Sequence, residues 1–92
     1  MSEETQTLEE QGELIGKITH YFSNIGVAVI ELSNELKVGD TIRIIGGEDT
    51  DFTQTVESME AEHQKVENAK AGESVGLKVN EKVREGYKVY KL

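Results

Sequence analysis

Lys70-Ala71-Gly72-Glu73-Ser74-Val75-Gly76-Leu77-Lys78-Val79 sets a basic residue, any residue and a glycine directly ahead of a run in which Val75, Leu77 and Val79 alternate with Ser74, Gly76 and Lys78. An apolar period of two is that of a strand with one face in a core. Glycine takes positive φ at no steric cost, so its place just before the run reads as a sharp reversal that re-enters a sheet. The phrase recurs as Lys37-Val38-Gly39-Asp40 ahead of Thr41 to Ile45, and as Arg84-Glu85-Gly86-Tyr87 ahead of a closing run from Tyr87 to Leu92. Three such turns predict a small β-barrel. They identify an architecture and not an activity.

The remaining runs fit the same pattern. Glu13 to Phe22 places Leu14, Ile18 and Phe22 on one parity, with Gly16 and His20 between them and Lys17 and Thr19 on the other, which predicts a core face through Leu14, Ile18 and Phe22. After a turn at Ser23-Asn24, Ile25 to Leu32 is apolar on both parities around Val27 to Ile30, as in a strand covered on two sides. Gly46-Gly47-Glu48-Asp49-Thr50-Asp51 is a loop. In Phe52 to Glu60, Phe52 and Val56 share a parity that Met59 does not, which predicts a β-bulge near Glu57 or Ser58. Ala61 to Ala69 has a weak pattern, extended or with one helical turn. The expected fold is all-β, a closed six-stranded antiparallel barrel of Greek-key type over 12–92, behind a disordered acidic tail at 1–11.

A chain of 92 residues, 36% hydrophobic and 30% charged, has material for one core. No run approaches the ~20 apolar residues of a membrane span, and the start carries neither a basic nor an apolar segment of the secretory kind, so the expectation is a soluble cytoplasmic protein. Without cysteine there is no disulfide, thiolate or Cys-zinc chemistry. The formal charge of -8 repels polyanions at long range. Half of it comes from Glu3, Glu4, Glu9 and Glu10, whereas Lys78, Lys82, Arg84, Lys88 and Lys91 face only Glu81 and Glu85 near the C-terminus. That cluster reads as a local basic patch or as the lysines that protect sheet edges.

Taken together, Gly16-Lys17-Ile18, Gly26-Val27-Ala28-Val29, Leu36-Lys37-Val38-Gly39-Asp40-Thr41-Ile42, Thr55-Val56-Glu57-Ser58-Met59-Glu60, Ala69 to Leu77 and Val83-Arg84-Glu85-Gly86 resemble the second, β-barrel domain of the translational GTPases, the group that includes elongation factor Tu. Ile15 to Phe22 with Gly26 to Leu32 most resembles a narrower group, the stand-alone elongation-factor-like proteins and a barrel appended to some collagenase-like peptidases. The resemblance implies a translation-factor second-domain fold and a binding role. It carries over no ligand residues, because the matching phrases are turns and strands. There is no G-x-x-x-x-G-K-[ST] phosphate loop, so no GTPase and no nucleoside triphosphate are expected. The third barrel of the larger factors is missing as well, and with it the composite pocket for charged tRNA.

His20 and His63 are the only histidines, and no G-x-S-x-G elbow surrounds any serine, so no enzyme is expected. The carboxylates of Glu48, Asp49 and Asp51 lack the glycine turn and distal glutamate of the twelve-residue calcium loop, and no metal or cofactor is expected. The acid pairs Glu3-Glu4 and Glu9-Glu10 serve solubility or a basic partner. Candidate contacts are a phosphate-tracking strip of Arg43, Lys82, Arg84 and Lys88, with His20 and Tyr21 at a barrel mouth; Phe22 and Phe52 are assigned to the core. Two roles follow for a monomeric module. One is docking on an RNA or ribonucleoprotein surface such as ribosomal or transfer RNA, implied by the resemblance. The other is protein interaction, as an accessory barrel for a separately encoded enzyme without nucleic-acid binding, which the acidic charge favours.

Overall fold

The computed structural model describes residues 12–92, so the segment 1–11 expected as a tail lies outside the described residues. Among the described residues there is no helix, and the chain forms ten strands: β1 (Glu13–Phe22), β2 (Val27–Leu32), β3 (Leu36–Lys37), β4 (Thr41–Gly46), β5 (Thr50–Thr55), β6 (Met59–Ala61), β7 (Gln64–Val66), β8 (Asn68–Ala69), β9 (Ser74–Lys78) and β10 (Lys88–Lys91). Eight of them make one sheet in the order β5-β4-β10-β1-β2-β9-β6-β7, and β3 pairs with β8 separately. Every pairing is antiparallel.

The three basic-x-Gly phrases are three copies of one turn. Gly39, Gly72 and Gly86 have φ of 99°, 91° and 92°, and the amide that follows each glycine donates back across the turn, Asp40 to Lys37, Glu73 to Lys70 and Tyr87 to Arg84. This is the pattern of a type II turn, whose third residue needs positive φ. Each turn also grips a buried residue of another strand or connection by two bonds. The Gly39 N–H donates to the Val56 carbonyl while the Val56 N–H donates to Asp40; Gly72 and Glu73 hold Leu32 likewise, and Gly86 and Tyr87 hold Ile18. The turns therefore fasten connections onto the core as well as reversing the chain.

Two expectations about the sheet need correction. The ladder is not closed and not six-stranded, because the run from Phe52 to Glu60 is not one strand with a bulge. Its backbone leaves the ladder at Val56-Glu57-Ser58; β5 before the break pairs with β4, and β6 after it pairs with β7 and β9. The break brings both Val56 and Met59 into the core, the result the bulge was invoked to give. Across the interruption the Gln54 side chain replaces backbone pairing: its Nε2 donates to the Lys78 carbonyl and its Oε1 accepts from the Asn80 N–H, both at 2.8 Å. Ala61 to Ala69 holds no helical turn; it is a β6–β7 hairpin turned by Glu62 and His63, both at positive φ (52° and 68°) as a type I′ turn requires, followed by β8.

The second correction concerns β1, which carries two one-residue slips. Against β10 the register shifts between Leu14 and Gly16, and against β2 between Ile18 and His20, leaving Ile15 and Thr19 as the extra residues. Each slip reverses the parity downstream. Ile15 and Ile18 are thus buried, whereas Leu14 and Phe22, both assigned to the inner face, point outward. The core runs from Ile15, Ile18, Ile30 and Leu32 through Ile42, Ile44, Val56 and Met59 to Val75, Leu77 and Val89, with Phe52 included as expected. In β2 only alternate residues, Ala28, Ile30 and Leu32, are fully buried; Val27 and Val29 are half-buried.

Candidate functional site

The slip at Thr19 decides which side chains the β1–β2 hairpin presents. Beyond it Tyr21 packs against the core, and His20 and Phe22 face out. The tip is tight, with the amides of Ile25 and Gly26 both donating to the Phe22 carbonyl. Phe22 is 46% exposed and Ile25 60%. The His20 ring meets the Phe22 ring edge-on at 4.4 Å between centroids, and its Nδ1 lies 3.4 Å from a Glu85 carboxylate oxygen. The third turn, fixed to Ile18 through Gly86, is what holds Glu85 there. Single exposed apolar residues are ordinary on a protein surface. Here two stand at one hairpin tip, with the His20 imidazole against one of them.

The expected basic strip is only partly assembled. Arg43 on β4 stands opposite Tyr90, and Lys88 stands opposite Ile45, so the two share the outer face of neighbouring strands. Arg43 is engaged, with its Nε and Nη2 bonded to the two carboxylate oxygens of Asp51 at 2.8 and 2.7 Å. That hydrogen bonding lowers the Asp51 carboxyl below its ordinary value. Asp51, grouped with the loop carboxylates in the sequence, is a residue of β5 that pairs across the hairpin. Arg84 opens the third turn, whose next residue Glu85 meets His20, and Lys82 precedes the buried Val83 in the same connection. The third turn that Arg84 opens is fastened to Ile18 on β1, whereas Arg43 and Lys88 lie on β4 and β10. Phe22, expected in the core, is turned outward by the slip at Thr19, which the sequence does not mark.

Residues 10–87 match the family model for the peptidase family U32 C-terminal domain. The chain belongs to this family. Among curated relatives, an uncharacterized protease of Methanocaldococcus jannaschii is 47% identical over 78 residues, which is 85% of this chain and 19% of the relative. A collagenase of Porphyromonas gingivalis is 42% identical over 83 residues, 89% of this chain and 23% of the relative. The U32 C-terminal domain thus spans about a fifth of the length of these relatives. A crystal structure of the C-terminal domain of a Geobacillus thermoleovorans protein classed with the U32 peptidases superposes with a TM-score of 0.82 at 25% identity, covering 86% of this chain and 99% of that one. The resemblance to a barrel appended to collagenase-like peptidases fits these matches; the wider resemblance to the translational GTPases is not carried by them. No helix among the described residues is long and apolar enough to cross a membrane.

Proposed function

We propose that this U32 C-terminal domain is a non-catalytic accessory module that docks on the catalytic part of a protease-like protein through the hairpin tip of Phe22 and Ile25. One observation carries the reading: close relatives named as proteases and collagenases include a region matching nearly this whole chain, beside a remainder about four times larger. A domain that recurs next to such a remainder has a standing protein neighbour. Exposed Phe22 and Ile25 supply the apolar anchors that interfaces concentrate their energy in. The sequence raised RNA docking first and protein interaction second, and support goes to the second. RNA docking would draw on Arg43, whose guanidinium already holds Asp51.

The test is binding of the full chain to the purified catalytic region of a U32-family protein from which its own C-terminal domain has been removed. A complex that survives ribonuclease and a rise from about 50 to about 200 mM salt supports the reading, since phosphate-driven binding weakens steeply over that range. Ile25→Asp in the tip should weaken it at least about tenfold. Loss of the complex to ribonuclease, or no effect of I25D, counts against it.

A further inference from the structure

Lys17 on β1 and Lys88 on β10 stand directly opposite each other across the ladder, both exposed. Like charges in that relation weaken a sheet. Among the described residues neither ammonium has an ion-pair or hydrogen-bond partner. On its other side Lys88 meets Ile45, and Asp51, which pairs with Ile45 from β5, is held by Arg43. Lys17 faces Glu31 of β2 in register, without an ion pair between them. Two ammoniums against one carboxylate leave room for one more anion.

The two lysines line a recess of about 240 Å³ whose walls include Leu14 and Leu32. Gly16 also lines it, and it is glycine because β1 and β2 approach closely there: a Cβ would come 2.5 Å from the Glu31 carbonyl oxygen and 2.9 Å from the buried Ile30 side chain. Leu14, 47% exposed because of the slip at Ile15, has its use as an apolar wall. Ser33 also lines the recess, and its hydroxyl makes no bond among the described residues. A space of this size is below that of a drug-sized pocket and takes about one residue. Its chemistry asks for an aliphatic body against the leucines and an anion at the lysines, where charge-assisted hydrogen bonds are strongest. The last residue of a peptide carries both on one Cα.

We infer that this recess binds the free C-terminal carboxylate of a peptide ending in an aliphatic residue, with the anion between Lys17 and Lys88. Bound there, the carboxylate also cancels the repulsion that the two lysines otherwise exert on β1 and β10. Capture of a chain terminus is an established mode of peptide recognition. The site does not use Phe22 or Ile25, so its failure and that of the docking reading are separable.

The test follows the backbone amide signals of the full chain by NMR during titration with acetyl-Gly-Gly-Leu as the free acid, with its C-terminal amide, and with acetate. The free acid should move the signals of Gly16, Lys17, Ser33 and Lys88, and the amide should bind at least about tenfold more weakly. Lys17→Gln and Lys88→Gln should each cost about tenfold in affinity while the thermal midpoint stays level or rises, because the like-charge contact is gone. No movement at millimolar peptide, equal binding of acid and amide, acetate as effective as the peptide, or unchanged affinity in both glutamine variants each overturns the inference.

Discussion

The amide of Gly86 donates to the carbonyl of Ile18 at 2.7 Å, and the Ile18 amide answers at 2.8 Å to the carbonyl next to that glycine. A Cβ on Gly86 would meet nothing within 4 Å, so glycine is needed there for its φ of 92° and not for space. Gly86→Ala should then cost about 1–2 kcal/mol, the left-handed penalty of an L-residue. In a domain of this size that lowers Tm by about 4–8 °C per kcal/mol, and Gly86→Asn should lose less. Thermal melts of the two variants check this; an alanine variant as stable as the parent contradicts the turn assignment.

Gly46 is glycine for the opposite reason. A Cβ there would lie 2.2 Å from the ring of Tyr87, which rests on the strand. Gly46→Ala should destabilise by about 1–3 kcal/mol through overpacking. The cost should shrink when Tyr87 is also replaced by alanine, and a double-mutant cycle on denaturant midpoints measures that coupling.

Gln54 ties β5 to the end of β9 where no ladder does so. Gln54→Ala removes two hydrogen bonds and leaves the Lys78 carbonyl and the Asn80 N–H to water, for a loss of about 1–3 kcal/mol. Hydrogen exchange should show faster exchange of the Asn80 amide in the variant, with β1 and β2 unchanged. Uniform acceleration would mean that the seam is not local.

Arg43 lowers the carboxyl of Asp51 below 3.8 by hydrogen bonding to it. A folded-state value below the unfolded one adds stability that is complete above the unfolded value and is lost as pH falls through the folded one. The difference in Tm between the parent and Asp51→Asn should therefore be present near neutral pH and vanish in strong acid. A difference that persists unchanged at low pH would assign it to something other than this carboxylate.

Glu62 and His63 hold positive φ without glycine. Replacing them with Asn-Gly, the pair that a type I′ turn favours, should stabilise by about 1 kcal/mol and raise Tm accordingly.

The turns were legible because glycine ahead of an alternating run has few other readings, and Ser74 to Val79 showed its burial outright. Parity arguments hold only between slips, however. In β1 the stripe of Leu14, Ile18 and Phe22 looked like a face, but the extra residues at Ile15 and Thr19 put Leu14 and Phe22 in solvent, and nothing in the residue types marks an extra residue in a ladder. Between Phe52 and Glu60 the parity conflict was visible while its solution, a change of partner strand, was not. Gln54 gave no signal, since its role depends on which strand ends meet. Of the candidate contacts, His20 stands near the β1–β2 hairpin tip with its ring edge-on to Phe22. Arg43 was read without Asp51, its neighbour only once β4 and β5 are in register.

If the domain docks on a protease-like catalytic part, calorimetric titration of the full chain into a U32 catalytic region lacking its own C-terminal domain should show it. A saturable complex is expected, indifferent to ribonuclease and weakened at least about tenfold by I25D. No heat of binding at micromolar concentrations, or binding that I25D leaves untouched, would contradict it.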